Sequence, residues 1–174
     1  LIQAEHSLPA FNWLALGRNR LQSVFYGLQQ PRYPEHQYVV AAKVEYLPQG
    51  TEIYIHSSWG EGQVLSPLMG QFNVLNLLGA MATQLVLGSE LDKVLAAVPK
   101  LVPVPGRLEV FHQAGHGALV VDYAHTPDAL EQALVALRQH ARGKLYCLFG
   151  CGGDRDKGKR PLMGQVAEAG ADVV

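Results

Sequence analysis

Leu145-Tyr146-Cys147-Leu148-Phe149 runs straight into Gly150-Cys151-Gly152-Gly153-Asp154-Arg155-Asp156-Lys157-Gly158-Lys159-Arg160-Pro161. An apolar run, then glycines and cations, then a proline suited to a first helical turn read as a buried strand, a loop and a helix. In an open α/β sheet, ligands bind beyond the carboxyl ends of the strands, and this loop falls there. Glycines let the backbone approach a ligand, while Arg155, Lys157, Lys159 and Arg160 offer charge to an anion. A solvated charged loop is the alternative. Gly153 to Lys159 fits most of a phosphate-binding P-loop, but Arg160 stands where Ser or Thr should hold magnesium, which rejects that motif.

Working outward, the order after Gly106 reads strand Arg107–His112, strand Ala118–Tyr123, helix Pro127–Arg142, strand Lys144–Phe149, the loop, a helix beginning with Pro161, and a strand starting at Ala171–Val174. Thr126 suits the N-cap, Pro127 the first turn and Gly143 the stop, with Leu130, Leu134, Leu137 and Ala141 as the apolar face. Strand–helix–strand alternation predicts a parallel sheet with crossover helices, and the fold class is α/β. The sheet breaks off at Val174, so the chain reads as a piece of a longer protein. Pro99, Pro103 and Pro105 make a stiff connector that divides the chain into residues 1–105 and 106–174.

In the first part, Tyr38–Tyr46 and Thr51–Ser58 read as strands around a turn at Leu47-Pro48-Gln49-Gly50. Trp59-Gly60-Glu61-Gly62 reads as a second turn and Gln63–Ser66 as a short third strand, all in antiparallel hairpins. The period then switches. Val74, Leu77, Leu78, Met81 and Leu85 recur at helical spacing within Gly70–Gly88, and a second helix covers Glu90–Val98. Residues 1–36 are ambiguous, with a helix near Leu8–Leu16 and loop over Leu28–His36.

Composition narrows the function. The 174 residues carry 14 Lys+Arg and 15 Asp+Glu, a net charge of −1. No basic field exists to attract nucleic acid. With 48% hydrophobic and 17% charged residues the chain can build a core, which excludes extended disorder. Its apolar runs fall far short of the ~20 residues of a membrane span, and no signal peptide is visible, so a soluble cytoplasmic chain is expected. Cys147 and Cys151 make neither a disulfide framework nor a metal site, and core packing is their expected role. The seven histidines show no His-Glu-x-x-His spacing, and no Gly-x-Ser-x-Gly turn occurs.

Three further constellations could carry chemistry. Asp122-Tyr123-Ala124-His125-Thr126-Pro127 ends a strand where Asp and His can bond ribose hydroxyls or phosphate oxygens, or where Asp122 and Thr126 simply cap a helix. Asn73 and Asn76, three apart, share one face of an otherwise apolar helix. They can meet a purine edge or a neighbouring backbone. In Pro105-Gly106-Arg107-Leu108-Glu109, Arg107 can reach a nucleotide across a cleft or pair with Glu109.

Together Gly70–Asn76, Pro105–Glu109, Asp122–Pro127 and Gly150–Arg160 resemble the Mur ligases in order and spacing. The runs Asp122–Leu130 and Gly152–Met163 are closest to the branch that adds a diamino acid. Folylpolyglutamate synthases share the outline but usually carry Gly-Ala-His-Asn-Pro in the second position. The resemblance is strong from about Ser57 to Val174. It implies a monomeric, three-domain enzyme of cytoplasmic peptidoglycan synthesis that uses ATP and Mg2+. Such an enzyme phosphorylates the D-glutamate γ-carboxylate of a UDP-N-acetylmuramoyl dipeptide. The amine of diaminopimelate or lysine then attacks, releasing ADP and phosphate.

On that resemblance, the chain is the later part of the central ATPase domain followed by the first half of a Rossmann-like C-terminal domain. Asn76 would meet the adenine with Asn73 supporting it. Arg107 and Asp122 would reach the nucleotide from the C-terminal side, with His125 beside them, and Arg155 would bind the incoming amino acid. The family's Gly-Thr-x-Gly-Lys-Thr P-loop, its carbamylated lysine, its uridine-binding domain and the Asp-Asn-Pro-Arg motif that selects diaminopimelate are absent from these 174 residues. No catalytic or metal residue is therefore assigned, and the chain by itself is expected to be inactive. A folylpolyglutamate-synthase-like ligase and a non-catalytic nucleotide- or amino-acid-binding module are the alternatives.

Overall fold

The computed structural model describes residues 2–3, 23–29, 36–152 and 157–174. The helix expected near Leu8–Leu16 lies outside them. The chain divides into two compact units, one of residues 1–45, 51–67 and 71–101, the other of residues 46–50, 68–70 and 102–174.

The first unit is built on a five-stranded sheet, β1 (Ile2–Gln3), β2 (Val24–Gly27), β3 (Gln37–Leu47), β4 (Gly50–Ser57) and β5 (Gly60–Ser66), ordered as numbered. β1, β2 and β3 run parallel, so the sheet is not made of hairpins alone. Four residues, Val24–Gly27, are too short a β-rich run to stand out in sequence. The turn at Pro48–Gln49 joins β3 to β4 as expected. The next turn is tighter than expected, because Ser57 Oγ donates to the Gly60 carbonyl at 2.8 Å and accepts the Trp59 N–H at 3.2 Å. The strand therefore resumes at Gly60, and Glu61 and Gly62 pair with His56 and Ile55 in the antiparallel β4–β5 ladder.

Alternation then sorts the faces. Thr51, Ile53, Ile55 and Ser57 are buried, whereas Glu52, Tyr54 and His56 face the other side. There Gln63 donates to Glu52 and to the Tyr54 hydroxyl, and Lys43 pairs with Glu45 over the Tyr54 ring. The buried face meets helix α1 (Gln71–Val86), which contributes Val74, Leu77, Leu78, Met81, Ala82 and Leu85 to the core. Gly88 stops this helix. At φ +92° it lets its own N–H reach the Leu85 carbonyl and the Ser89 N–H reach Gln84, the paired bonds of a Schellman cap. Helix α2 (Leu91–Ala97) follows and tightens into a 3₁₀ turn at Val98–Lys100.

In the second unit β6 (Glu109–Phe111) and β7 (Leu119–Val121) form an antiparallel pair. Helix α3 (Pro127–His140) starts under the Thr126 cap, whose Oγ1 accepts the Ala129 N–H at 3.2 Å. It ends two residues before the expected Arg142. Its buried side is Leu130, Ala133, Leu134, Ala136 and His140; of the expected face Leu130 and Leu134 are buried, Leu137 is half-buried, and Ala141 is the C-cap because the helix ends early. Helix α4 (Lys159–Gly170) begins two residues ahead of Pro161, drawing Lys159 and Arg160 out of the loop. Leu130 and Leu134 pack against its Met163 and Ala167, and Cys147 and Cys151 lie against this cluster.

The expected strands Lys144–Phe149 and Ala171–Val174 appear only as a single parallel bridge, Tyr146 to Val173. The Cys147 N–H bonds Val173 at 2.8 Å, and the Asp172 N–H bonds Leu145 at 2.8 Å. Residues 171–174 supply too few rungs for a longer ladder, and Asp172 spends its carboxylate on the Leu145 N–H at 2.7 Å and on Arg138 at 2.9 Å. Those bonds hold Asp172 below the usual carboxylate range.

Candidate functional site

Pro103 and Pro105 lead into a tight turn before β6, in which the Arg107 N–H bonds the Val104 carbonyl at 3.0 Å. Gly106 has φ +70° and Leu108 φ +43°, the latter the single non-glycine in that region among the described residues. A buried leucine tolerates such backbone only when its surroundings fix it. Two carboxylates do so. Glu109 accepts the Gly106 N–H at 2.8 Å, and Asp122 accepts the Leu108 N–H at 2.9 Å. The Leu108 side chain, 2% exposed, packs with Met69, Ala133 and Ala136. The Arg107 side chain on this pinned turn is exposed.

Its guanidinium lies 5.0 Å from the centre of the Tyr123 ring. The His125 ring stands 5.2 Å from the same ring, and its Nδ1–H donates to the Tyr123 carbonyl at 3.2 Å. Lys159 reaches the His125 carbonyl at 3.4 Å from the start of α4. The structure thus gathers Arg107, Asp122 and His125 at one edge of the second unit and adds Tyr123 and Lys159. Glu109 bonds backbone, so the Arg107–Glu109 pairing foreseen as an alternative is replaced by the contact with Tyr123. The exposed Arg107 guanidinium and, at the start of α4, the Lys159 ammonium are groups of the kind that suit an anion.

Asn73 and Asn76 lie one turn apart on α1 in the first unit, the former half-buried and the latter exposed. They flank the apolar stripe rather than sit within it. A groove of about 530 Å³ between α1 and α2 touches neither of them. It is lined mainly by apolar side chains such as Leu77, Met81 and Val94, and its Glu90 and Lys93 pair with each other at 3.2 Å. Arg155 lies outside the described residues. Among the described residues no group of three His, Cys, Asp or Glu could hold a metal ion. The donors near Arg107 and Lys159 are cationic or already bonded to backbone, so they do not fit magnesium. Burial raises the Cys147 thiol above its ordinary range.

Within Asp122–Pro127 the local signal for Tyr123 is an aromatic beside an Asp and a His. No local signal marks His140. That residue's Nδ1–H donates to the Leu47 carbonyl at 2.7 Å, and its Nε2 accepts the Gly70 N–H at 3.0 Å.

Turn, strand pair and capped helix form one α/β edge, and comparison with known proteins identifies the class of the chain. The chain belongs to the Mur ligase family, whose members are ATP-dependent ligases. The Mur ligase middle domain matches residues 10–84, and the Mur ligase glutamate ligase domain matches residues 106–174. A solved structure of UDP-N-acetylmuramoyl-L-alanyl-D-glutamate–2,6-diaminopimelate ligase is 39% identical, with a TM-score of 0.76 over 99% of this chain and 35% of that one. UDP-N-acetylmuramate–alanine ligase from Thermotoga maritima is 19% identical, with a TM-score of 0.67 over 87% of this chain and 33% of that one. A Mycobacterium tuberculosis folylpolyglutamate synthase, complexed with ADP and AMPPCP, is 17% identical, with a TM-score of 0.53 over 74% and 33%. The last two share the fold. The chain spans about a third of the length of each of these relatives. Among the described residues no helix is long and apolar enough to cross a membrane.

Proposed function

We propose that the protein containing this chain joins a diamino acid to the D-glutamate γ-carboxylate of UDP-N-acetylmuramoyl-L-alanyl-D-glutamate in the cytoplasm, as a monomer using ATP and magnesium. The observation that carries this reading is the 39% identity over nearly the whole chain to a ligase named for that dipeptide and for 2,6-diaminopimelate. A carboxylate is a poor acyl donor at neutral pH, and ATP supplies the phosphoryl group that activates it. Arg107 is the cation that meets the nucleotide, since its guanidinium projects exposed from a fixed turn. Asn76 recognises the adenine edge with Asn73 beside it. Asp122 and His125 border the nucleotide from the second unit, with Asp122 also holding the turn. Arg155 binds the carboxylate of the incoming amino acid through its planar fork. Magnesium ligands come from parts of the protein other than these residues.

The test uses the full-length protein with ATP, magnesium, the UDP-linked dipeptide and either diaminopimelate or lysine. ADP and phosphate should appear only when all substrates are present, together with a product whose mass is that of the tripeptide. A second reading, a folylpolyglutamate-type ligase, draws on the fold shared with that synthase. Turnover with a folate and glutamate, and none with the UDP-dipeptide, would establish it instead.

A further inference from the structure

Tyr123 is an exposed aromatic whose placement burial does not explain. Its relative exposure is 63%, in the middle of the edge that carries Arg107, Asp122 and His125. The backbone on both sides is fixed. Three backbone bonds pin the turn of Gly106, Arg107 and Leu108, and His125 Nδ1–H is bonded to the Tyr123 carbonyl. What those bonds leave undetermined is the direction of the Arg107 side chain. An exposed arginine on a fixed turn still samples many rotamers. Among the described residues the partner of its guanidinium is the face of the Tyr123 ring, 5.0 Å away. The His125 ring, 5.2 Å from the Tyr123 centre and tilted by 60°, is a second neighbour that restricts that ring's swing. A delocalised cation over an electron-rich face is held without using its N–H donors, so all five stay available to a ligand.

We propose that Tyr123 is a positioning residue: its ring holds the Arg107 guanidinium in the orientation that receives the nucleotide. The inference rests on the reading that Arg107 meets ATP. The ring, and not the hydroxyl, carries the effect, because the face is what the guanidinium covers. Tyr123 thus acts on the nucleotide through Arg107, and its loss should appear in ATP binding and leave the chemical step alone.

The experiment measures KM for ATP, KM for the UDP-dipeptide and kcat in the full-length protein. It compares Tyr123→Leu, Tyr123→Phe, Arg107→Ala and the Arg107→Ala/Tyr123→Leu double variant, with Tyr123→Gln as a second ring deletion should Tyr123→Leu fold poorly. Removing the ring should raise KM for ATP roughly three- to thirtyfold, with kcat and KM for the dipeptide within about twofold. Tyr123→Phe should restore KM for ATP, and the double variant should match Arg107→Ala. If Arg107→Ala raises KM for ATP while both ring deletions leave it unchanged, Tyr123 positions nothing and the inference falls while the Arg107 reading stands. If the two effects multiply in the double variant, Tyr123 acts independently of Arg107 and the inference again falls. If Arg107→Ala itself leaves KM for ATP unchanged, the Arg107 reading fails and takes the inference with it.

Discussion

Asp122 stands one residue beyond β7, and its carboxylate accepts the Leu108 N–H at 2.9 Å. Strand-end position and chemistry mark it as a candidate nucleotide contact, but the turn it holds lies fourteen residues away and leaves no mark in the local pattern. Asn can replace one carboxylate oxygen with an amide oxygen, whereas Ala offers no acceptor. Asp122→Ala should therefore speed hydrogen–deuterium exchange in the peptide containing Leu108, by roughly five- to tenfold for a bond worth about 1 kcal/mol. Asp122→Asn should leave exchange near the parent rate. Equal exchange in parent and Ala protein would show that the bond does not hold the turn. Leu108 itself illustrates the limit of local reading. A leucine in an Arg-Leu-Glu-Val run predicts ordinary strand, and its φ of +43° arises because burial and the two carboxylate bonds together outweigh the local preference.

Helix α3 was visible from Thr126, Pro127 and its leucines, since caps and 3.6-residue periodicity are local. Its end was not visible. His140, 3% exposed, closes the helix by donating to Leu47 and accepting from Gly70, and the Tyr46 ring packs edge-on at 5.1 Å. Both ring nitrogens are engaged, and Nε2 must stay unprotonated to accept. Burial lowers the pKa, the Leu47 and Gly50 carbonyls partly oppose it, and the neighbouring Arg142 lowers it further. The sign follows. The folded ring refuses a proton that the unfolded chain accepts near pH 6.5, so this contribution is whole above that pH and declines as pH falls below it. Thermal unfolding of the full-length protein should show the transition of this unit dropping between pH 7.5 and 5.5. His140→Gln, which can both donate and accept, should flatten that dependence. His140→Ala, which loses two buried bonds and leaves a void, should cost about 2–4 kcal/mol at pH 7.5. An unaltered pH profile in the Gln variant would assign the acid sensitivity to other groups.

At the scale of the molecule, the candidate amides Asn73 and Asn76 lie in the first unit and the candidate cations Arg107 and Lys159 in the second, and the phosphate-binding Gly-Thr-x-Gly-Lys-Thr motif is absent from these 174 residues. Tight nucleotide binding depends on backbone N–H groups and a lysine around the phosphates. The isolated 174-residue chain should therefore release no phosphate above a no-protein control, with ATP, magnesium, the dipeptide and the diamino acid all present. Phosphate release proportional to chain concentration would overturn this.

The sequence by itself determined the α/β class, the helices α1 and α3, the apolar stripe of α1, the β3–β4 hairpin and the family. These rest on short-range periodicity, turn residues and motifs that survive being read in a line. Tertiary structure decided the parallel pairing of β1 to β3 and the early start of α4. It reduced Lys144–Phe149 to one bridge, because pairing depends on what a partner segment can offer. It also decided that Asp122 grips a backbone, that Arg107 lies over Tyr123 and that His140 is buried. Each of these is a contact between residues far apart in the chain, and its energy depends on burial and geometry that no local pattern encodes.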